Sequence, residues 1–478
     1  MIPRFTFPDG ELGAWVALGH VTDRSVRVWA RLPDGGAEAV LSVDGKAAAQ
    51  ARIEPDPERD HVGAIVLTVD AECADREFRV QVATLERTGR FAPAEGSPAS
   101  FAFAFGSCHQ PFTEELDGRR VDRHDGASIY PRISDFLRRR SASFAMWLGD
   151  QVYSDAVSEL SVREQMSKDP SVTDEALVDT YRHLYRGYFN ERGFRRLSEE
   201  VPAYLMWDDH DIFDGWGSLL DQTAFDERVY AAAERAFVEY QHLRNPGGDL
   251  SDRPPFGYSF WRGNVGFHVP DLRGERDFNK QRVMGDAGWA RLDAFLAEAS
   301  ERDVPTVFLG LSVPVVHASP ALMRALEGLR MSYGRDVRDR WSVPAFAGER
   351  TKLVERLFAW QAAAKNRRVI VLSGDVHVGA AFDVRGRNER GRFRQWTSSA
   401  LSTPDGLKHI LANQLITRFV GVGEHELNVR RLGLATSNNV GFVDVTPRED
   451  GGHDVKLTVH EYDARTGKLR VALTDNAR

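Results

Sequence analysis

Four apolar runs, each breaking off abruptly into reactive side chains, constrain this chain more than any other feature. They are FAFAFGSC ending at Cys108, SFAMWLGD ending at Asp150, AYLMWDDHD ending at Asp211 and VIVLSGDVH ending at His377. Each stays apolar for about four to six residues, the length of a strand buried on both faces, then turns at once to Gly, Ser, Asp, Cys or His. Long helical stretches lie between such runs, for example 221–243 and 286–300. From residue 100 onward the chain therefore predicts alternating strands and helices, an α/β body. In open α/β sheets, ligand sites lie beyond the carboxyl ends of the strands. Four strand ends of one chemistry predict one shared site. A fifth run, PTVFLGLS at 305–312, fits another strand but ends without an ionisable residue.

The first ninety residues follow a different pattern. In residues 24–32, Val26, Val28, Ala30 and Leu32 alternate with Arg27, Trp29 and Arg31, and residues 77–84 repeat the pattern with Phe78, Val80 and Val82. That is the period of a strand with one buried face. AVLSVDGK at 39–46 reads as a strand entering an Asp44–Gly45 turn. About five short strands without a helix predict a small β-sandwich over residues 1–95. The Gly/Pro/Ser-rich stretch from Ala92 to Ser100 then serves as a linker into a domain spanning 100–478. With 478 residues the chain exceeds one typical core, which agrees with that division. The tail from Asn439 alternates again and predicts a late antiparallel pair. The stretches 154–200 and 320–352, rich in charge, Tyr, Trp and Arg, are expected to form helices and loops laid over the strand ends as a lid.

Charge and cysteine usage narrow the function. Lys plus Arg is 62 against 70 for Asp plus Glu, a formal net charge of −8. Such a chain has no global attraction to nucleic acid or anionic lipid, so any phosphate recognition must be local. Cys73 and Cys108 are too few for a disulfide framework or a four-cysteine zinc site. The start, MIPRFTFPDGELG, lacks a secretory pattern, and no run approaches ~18 apolar residues. A soluble, cytoplasmic protein without membrane contact is expected. Arg138–Arg140 lies inside the chain and reads as a solvated helix end.

The strand ends bring together Cys108, Asp150, Tyr153, Asp208, Asp209, His210, Asp211, Asp375 and His377. Crowded carboxylates raise one another's pKa values unless cations neutralise them. A metal centre resolves the conflict. Two ions sharing a bridging carboxylate can activate a water and stabilise both oxygens of an in-line displacement at phosphorus. Thiolate, phenolate and imidazole suit a transition metal, the phenolate particularly ferric iron, whereas an all-carboxylate set suits calcium, magnesium or manganese. Iron beside calcium is the expectation, with manganese or zinc left open at either position. Taken singly, each residue has a plainer role: Asp as a turn or helix cap, Cys108 as a small buried hydrophobe, Tyr153 as a core aromatic, His210 and His377 as satisfied histidines. Repetition at four strand ends favours the metal.

The motifs GSC at 106–108, GDQVY at 149–153, WDDHD at 207–211 and LSGDVH at 372–377 resemble, in order and spacing, the PhoD-like alkaline phosphatases of the calcineurin-like metallophosphoesterase superfamily. VPDLRGER at 269–276 and MGDAGWARLDAFL at 284–296 resemble a linking segment of that family, and GHVTDRSVRVWARL at 19–32 is similar to the β domain that precedes its catalytic domain. The resemblance implies a four-layer αββα sandwich behind an N-terminal all-β domain of the immunoglobulin or fibronectin kind. It implies ferric iron on Cys108, Asp150, Tyr153 and His377, and calcium on Asp150, Asp209 and Asp375. His210 is then left to contact phosphate oxygens or protonate the leaving group. Asp211 stands where Glu is as common. The LGLSVPVVH segment lacks a ligand pattern unless His317 approaches from elsewhere. His109 either lines the phosphate pocket or caps a turn, and Arg273 is either a phosphate clamp or a structural salt bridge.

The expected activity is metal-dependent hydrolysis of small-molecule phosphate esters, of the alkaline phosphatase D kind, by in-line attack of a metal-bound hydroxide. Phosphomonoesterase or phosphodiesterase selectivity depends on pocket walls. Rival readings are a hydrolase using paired carboxylates without metal, such as a glycosidase, and a catalytically silent binding scaffold. Nucleotide-driven chemistry lacks its phosphate loop, since Gly467-Lys468 is followed by Leu469.

Overall fold

Three of the four apolar runs become neighbouring parallel strands of one sheet, and the fourth joins a second sheet stacked against it. The computed structural model describes residues 5–114, 121–155, 161–169, 171–327, 338–387, 391–404 and 407–477. Within it, Ala203–Met206, Phe144–Leu148 and Phe101–Gly106 lie side by side in a six-stranded sheet. Every residue of the first two is buried, as a strand covered on both faces requires. Asn439–Pro447, His453–Asp463 and Lys468–Ala477 extend this sheet antiparallel, so the tail supplies three strands where the pattern predicts two. In the seven-stranded sheet, Val265–Val269, Thr306–Leu311, Arg368–Ser373 and Arg392–Thr397 run parallel in that order.

Alternation along the second sheet's strands divides its side chains between two cores. Phe308, Ile370 and Leu372 join Phe103, Phe105 and Leu148 of the first sheet, and Phe103 packs edge-on to Phe267 and Phe308 with ring centres 5.5 and 5.4 Å away. Val307, Leu309, Val369 and Val371 point the other way, onto Leu292 and Phe295 of helix Asp286–Glu301 and Leu353 and Leu357 of helix Ala347–Ala362. On the far side of the first sheet lies helix Ile129–Arg140, with Ile133 and Leu137 buried. Helix Ala224–Tyr240 lies inside the predicted stretch 221–243, its start fixed by the reciprocal capping box of Thr223 and Asp226. Among the described residues no helix is long and apolar enough to cross a membrane.

Among the first ninety residues, those described form seven strands in a three-stranded and a four-stranded sheet. Val16 and Val28 of the one share a buried cluster with Leu41 and Val80 of the other. The pattern predicts about five strands. Lys46–Ile53 and Leu85–Arg90, the two edges of the four-stranded sheet, are largely exposed or half-exposed and carry few large apolar side chains. The 92–100 stretch holds neither helix nor strand. Of the expected lid segments, residues 156–160, 170 and 328–337 lie outside the described residues. The described parts of 154–200 are mainly helices Asp174–Phe189 and Arg192–Glu200.

Candidate active site

The backbone at the strand ends is held in an unusual conformation. Cys108, Asp150, Asp375 and His377 have φ of 62°, 55°, 70° and 52°. A left-handed turn costs an L-residue about 1–2 kcal/mol, so the surrounding hydrogen bonds must hold it. Cys108 N–H donates to the Gly149 carbonyl (3.1 Å), His109 N–H to that of Asp150 (2.8 Å) and Ser402 N–H to that of Cys108 (3.2 Å). Two glycines permit the close approach. A Cβ at Gly149 would stand 2.7 Å from the Asp208 Cβ, and one at Gly374 would stand 2.6 Å from the Leu148 carbonyl oxygen. Strain gathered on four chemically reactive residues is a mark of a functional site.

The side chains meet around Asp150. The Cys108 thiol donates to Asp150 Oδ2 (3.2 Å), and the Tyr153 hydroxyl lies 3.5 Å from the same oxygen and 3.3 Å from His377 Nε2. Asp150 Oδ1 is buried with no hydrogen-bond partner. Potential ligand atoms of Asp150, Asp209 and His210 all lie within 4.8 Å of one another. Asp209 Oδ2 accepts from Gly215 N–H (2.8 Å), while its Oδ1 meets Arg273 Nη2 at 3.2 Å. Asp375 pairs with Arg340, and its peptide oxygen lies 3.8 Å from the Cys108 sulfur. Cys108, Asp150, Tyr153 and His377 thus form one chain of contacts, and Asp209 and Asp375 adjoin it.

His210 stands in the tight trio with the acids. Its Nδ1 is 2.7 Å from Asp155 Oδ1, and its ring stacks on Tyr153 with centres 4.4 Å apart. Sequence reasoning missed Asp155. The available signal was its position in the same strand-end loop as Asp150, five residues on.

Residues 103–403 match the PhoD-like phosphatase family, well over half of the chain. The chain belongs to the PhoD-like phosphatase family. It is a phosphoric ester hydrolase on that ground. The fold of this PhoD-like phosphatase is similar to the solved structure of PhoD, with a TM-score of 0.63 and 17% identity, covering 98% of this chain and 92% of that one. It is also similar to a purple acid phosphatase from yellow lupin (Lupinus luteus) seeds, with a TM-score of 0.55 and 12% identity, covering 97% of this chain and 74% of that one. At these identities the likeness concerns the mixed α/β fold. No curated protein sequence matches this chain.

Charge in the PhoD-like phosphatase's site is out of balance. Burial pushes Asp150 well above the usual carboxylate range, and Asp208, Asp209 and Asp211 push it further. Burial raises Asp208 and Asp211 to about 7 and Asp375 to about 6, the last in spite of Arg340. Burial, then Asp150, raises the Cys108 thiol, against hydrogen bonds from Ser107 and Ser399. Burial opposes charge on His210, yet Asp155, Asp209 and Asp150 outweigh it and hold the imidazole well above its ordinary value. Excess buried negative charge around an oxygen without a partner fits cations.

Several residues from the sequence reading are occupied elsewhere. Arg273 donates all five N–H groups to protein: to Asp208, to Asp209, to both oxygens of Asp339 (2.7 Å each) and to the Trp216 carbonyl (3.0 Å). With no donor left for phosphate, it is the salt bridge of the two alternatives. His109 is fully buried, with Nδ1 on the Tyr130 hydroxyl (2.5 Å), Nε2 on the Tyr188 carbonyl (3.1 Å) and its face stacked on Phe194. It therefore packs beneath the site and does not line it. Asp211 closes the turn, accepting from Asp208 N–H (2.9 Å), Gln151 N–H (3.3 Å), Gln241 (2.8 Å) and Tyr185 (3.3 Å). His317 Nε2 pairs with Asn413 (2.8 Å), outside the converging trio.

Proposed function

We propose that this PhoD-like phosphatase is a metal-dependent hydrolase of small phosphate monoesters or diesters. Asp150 carries the reading: a buried carboxylate with one oxygen facing Cys108 and Tyr153 and the other without a partner, among more acids than the arginines offset. Cys108, Asp150, Tyr153 and His377 would hold one cation, and their thiolate, phenolate and imidazole donors suit ferric iron. Asp150, Asp209 and Asp375 would hold the other, an oxygen set suited to calcium, with manganese or zinc as substitutes. When bound, such a pair supplies the charge that activates water and offsets the charge on the phosphoryl oxygens.

The chain's own residues do the rest. Asp155 occupies His210 Nδ1 and favours the protonated ring, so Nε2 is the nitrogen that can donate to a phosphoryl oxygen or to the departing alkoxide. Tyr153 fixes the plane of that ring by stacking. Ser107 and Ser399, 3.2 and 3.1 Å from the Cys108 sulfur, stabilise a thiolate there. In this reading the two stacked sheets with their flanking helices are the αββα sandwich of domain 100–478, and residues 1–95 are an appended β-sandwich.

Elemental analysis of native protein, beside assays on a monoester and a diester chromogenic substrate at alkaline pH, tests the proposal. Iron and calcium in the protein, with activity lost to chelator and restored by both ions, are expected. Ferric phenolate is coloured, so Tyr153→Phe should bleach a visible band. Activity indifferent to chelation would indicate a carboxylate-pair hydrolase, and neither metal nor activity would indicate a scaffold.

A further inference from the structure

Helix Leu407–Arg418 has two faces, and only one of them is docked on the body. Asn413, Thr417 and, just past the helix, Val420 are buried, and Ile416 is half-buried against the second core. Asn413 holds His317 (2.8 Å), and Arg431 reaches the Thr417 hydroxyl (2.7 Å). On the opposite side Leu411, Leu415 and Phe419 follow one another at the four-residue spacing of a single helical stripe, and Val422 ends the turn beyond. These four side chains are between 49% and 61% exposed. Among the described residues seven large apolar side chains are exposed, and the four of the stripe with Val471 make five of them; Val66 and Leu220 are the others. Val471 lines the same groove as Gln414 and Arg418 of the helix. Apolar side chains exposed singly are ordinary, whereas a contiguous patch marks an interaction surface.

The charge around the patch selects among partners. Residues 406–423 include Lys408, His409 and Arg418 but no Asp or Glu. The groove beside the helix holds Arg418, Arg431 and Arg470 against one lining acid, Glu461, which pairs with Arg470. Arg430 is exposed on the adjoining strand Leu427–Ala435. We propose that this face docks on an anionic lipid surface, with Leu411, Leu415, Phe419 and Val422 entering the acyl boundary and Arg418, Arg431 and Arg470 meeting headgroup phosphates. At 12 residues the helix lies on such a bilayer and does not span it. A second copy of the chain, paired through this face about a two-fold axis, would set arginines against arginines. A nucleic acid would engage the arginines and leave the stripe in water. The expectation of no membrane contact rested on the net charge and on the lack of a spanning run. Neither registers a patch that exists only once one helix and three strands distant in sequence are brought together.

Co-sedimentation of the full chain with vesicles tests the proposal, using phosphatidylcholine alone and phosphatidylcholine mixed equally with phosphatidylglycerol. Wild type should bind the anionic vesicles, less so as salt is raised, and should bind the neutral ones at least about tenfold more weakly. The double change Leu415→Ser, Phe419→Ser should weaken anionic binding tenfold or more, to order of magnitude, and Arg418→Gln about fivefold. The changed side chains are exposed and lie outside the candidate active site, so hydrolysis of a soluble chromogenic ester should stay at the wild-type rate and will report that the variants are folded. Absence of binding to anionic vesicles, equal binding to both compositions, or binding indifferent to the double change would each overturn the proposal. A dimer in solution that the double change dissociates, without vesicle binding, would assign the patch to a second copy. Retention of an oligonucleotide in place of vesicles would assign it to nucleic acid.

Discussion

Asp60 and Asp150 are both buried acids, and their surroundings push them in opposite directions. Asp60 sits where the N-terminal strands meet the body. Arg31 (3.1 Å), Arg186 (2.8 Å) and the Tyr240 hydroxyl converge on it, and Glu11 beside it takes Arg186 (2.5 Å) and His183 (3.2 Å). Burial opposes charge on Asp60, but Arg31, Arg186 and Tyr240 more than offset that and hold it below its ordinary value. The His183 hydrogen bond leads in bringing Glu11 down to about 2. Asp150 is pushed up, with neighbouring acids where Asp60 has arginines. Both clusters are acidic and enclosed. One is balanced by the chain's own arginines, and at the other the acids outnumber the cations that the chain supplies.

Changes at each cluster can break this contrast. Asp150→Asn should cost the largest factor, at least about a thousandfold in kcat/KM. Because it removes an uncompensated buried charge, it should leave the metal-free protein as stable as wild type or more so, as thermal unfolding will show. Asp60→Asn should do the reverse: about 3 kcal/mol lost in urea unfolding, since Arg31 and Arg186 lose their shared partner, with kcat per folded molecule unchanged. Asp155→Asn touches the site indirectly and should lower kcat about 10- to 100-fold with little change in KM. It should also move the His210 limb of the pH–rate profile to lower pH, a shift that a merely structural role would not produce.

The smallest effect expected is a difference in pH slope. Depressed acids at the junction contribute stability that is present above their unfolded values near 4 and is lost as pH falls through their folded values, about 2 for Glu11. Raised acids at the site act oppositely. Asp208 and Asp211, at about 7, destabilise the metal-free protein at higher pH, a penalty relieved as pH falls from 7 toward 4. The melting temperature of chelated protein should therefore rise from pH 8 to about 5 and fall below about 4. Glu11→Gln should soften the acid fall. A curve flat between pH 8 and 5 would show that the site carries no excess charge.

The strand ends were legible because burial on both faces demands unbroken apolar runs, and the turn that follows must carry whatever chemistry the fold presents. That these strand ends would converge could be anticipated on that basis, whereas the particular set of Cys108, Asp150, Tyr153 and His377 was implied by the family resemblance. The edge strands of the four-stranded N-terminal sheet were not, since an edge has one face and one backbone row in water and needs little apolar sequence.

Within WDDHD the limits are plain. Asp208, Asp209 and Asp211 look equivalent in sequence, yet Asp208 pairs with Arg273 and the Ser312 hydroxyl, Asp209 turns to Asp150 and His210, and Asp211 caps its own turn. A single 3-10 turn over Asp209–Asp211 aims successive side chains in different directions, and local sequence does not say which partner waits in each. Arg273 and Arg340 make the same point from further away. Composition and periodicity determined that acids, a thiol and imidazoles would gather at the ends of buried strands. Only the stacking of two sheets decided which arginine would be enclosed among them and which would keep access to solvent, because both outcomes depend on groups distant in the chain and adjacent in space.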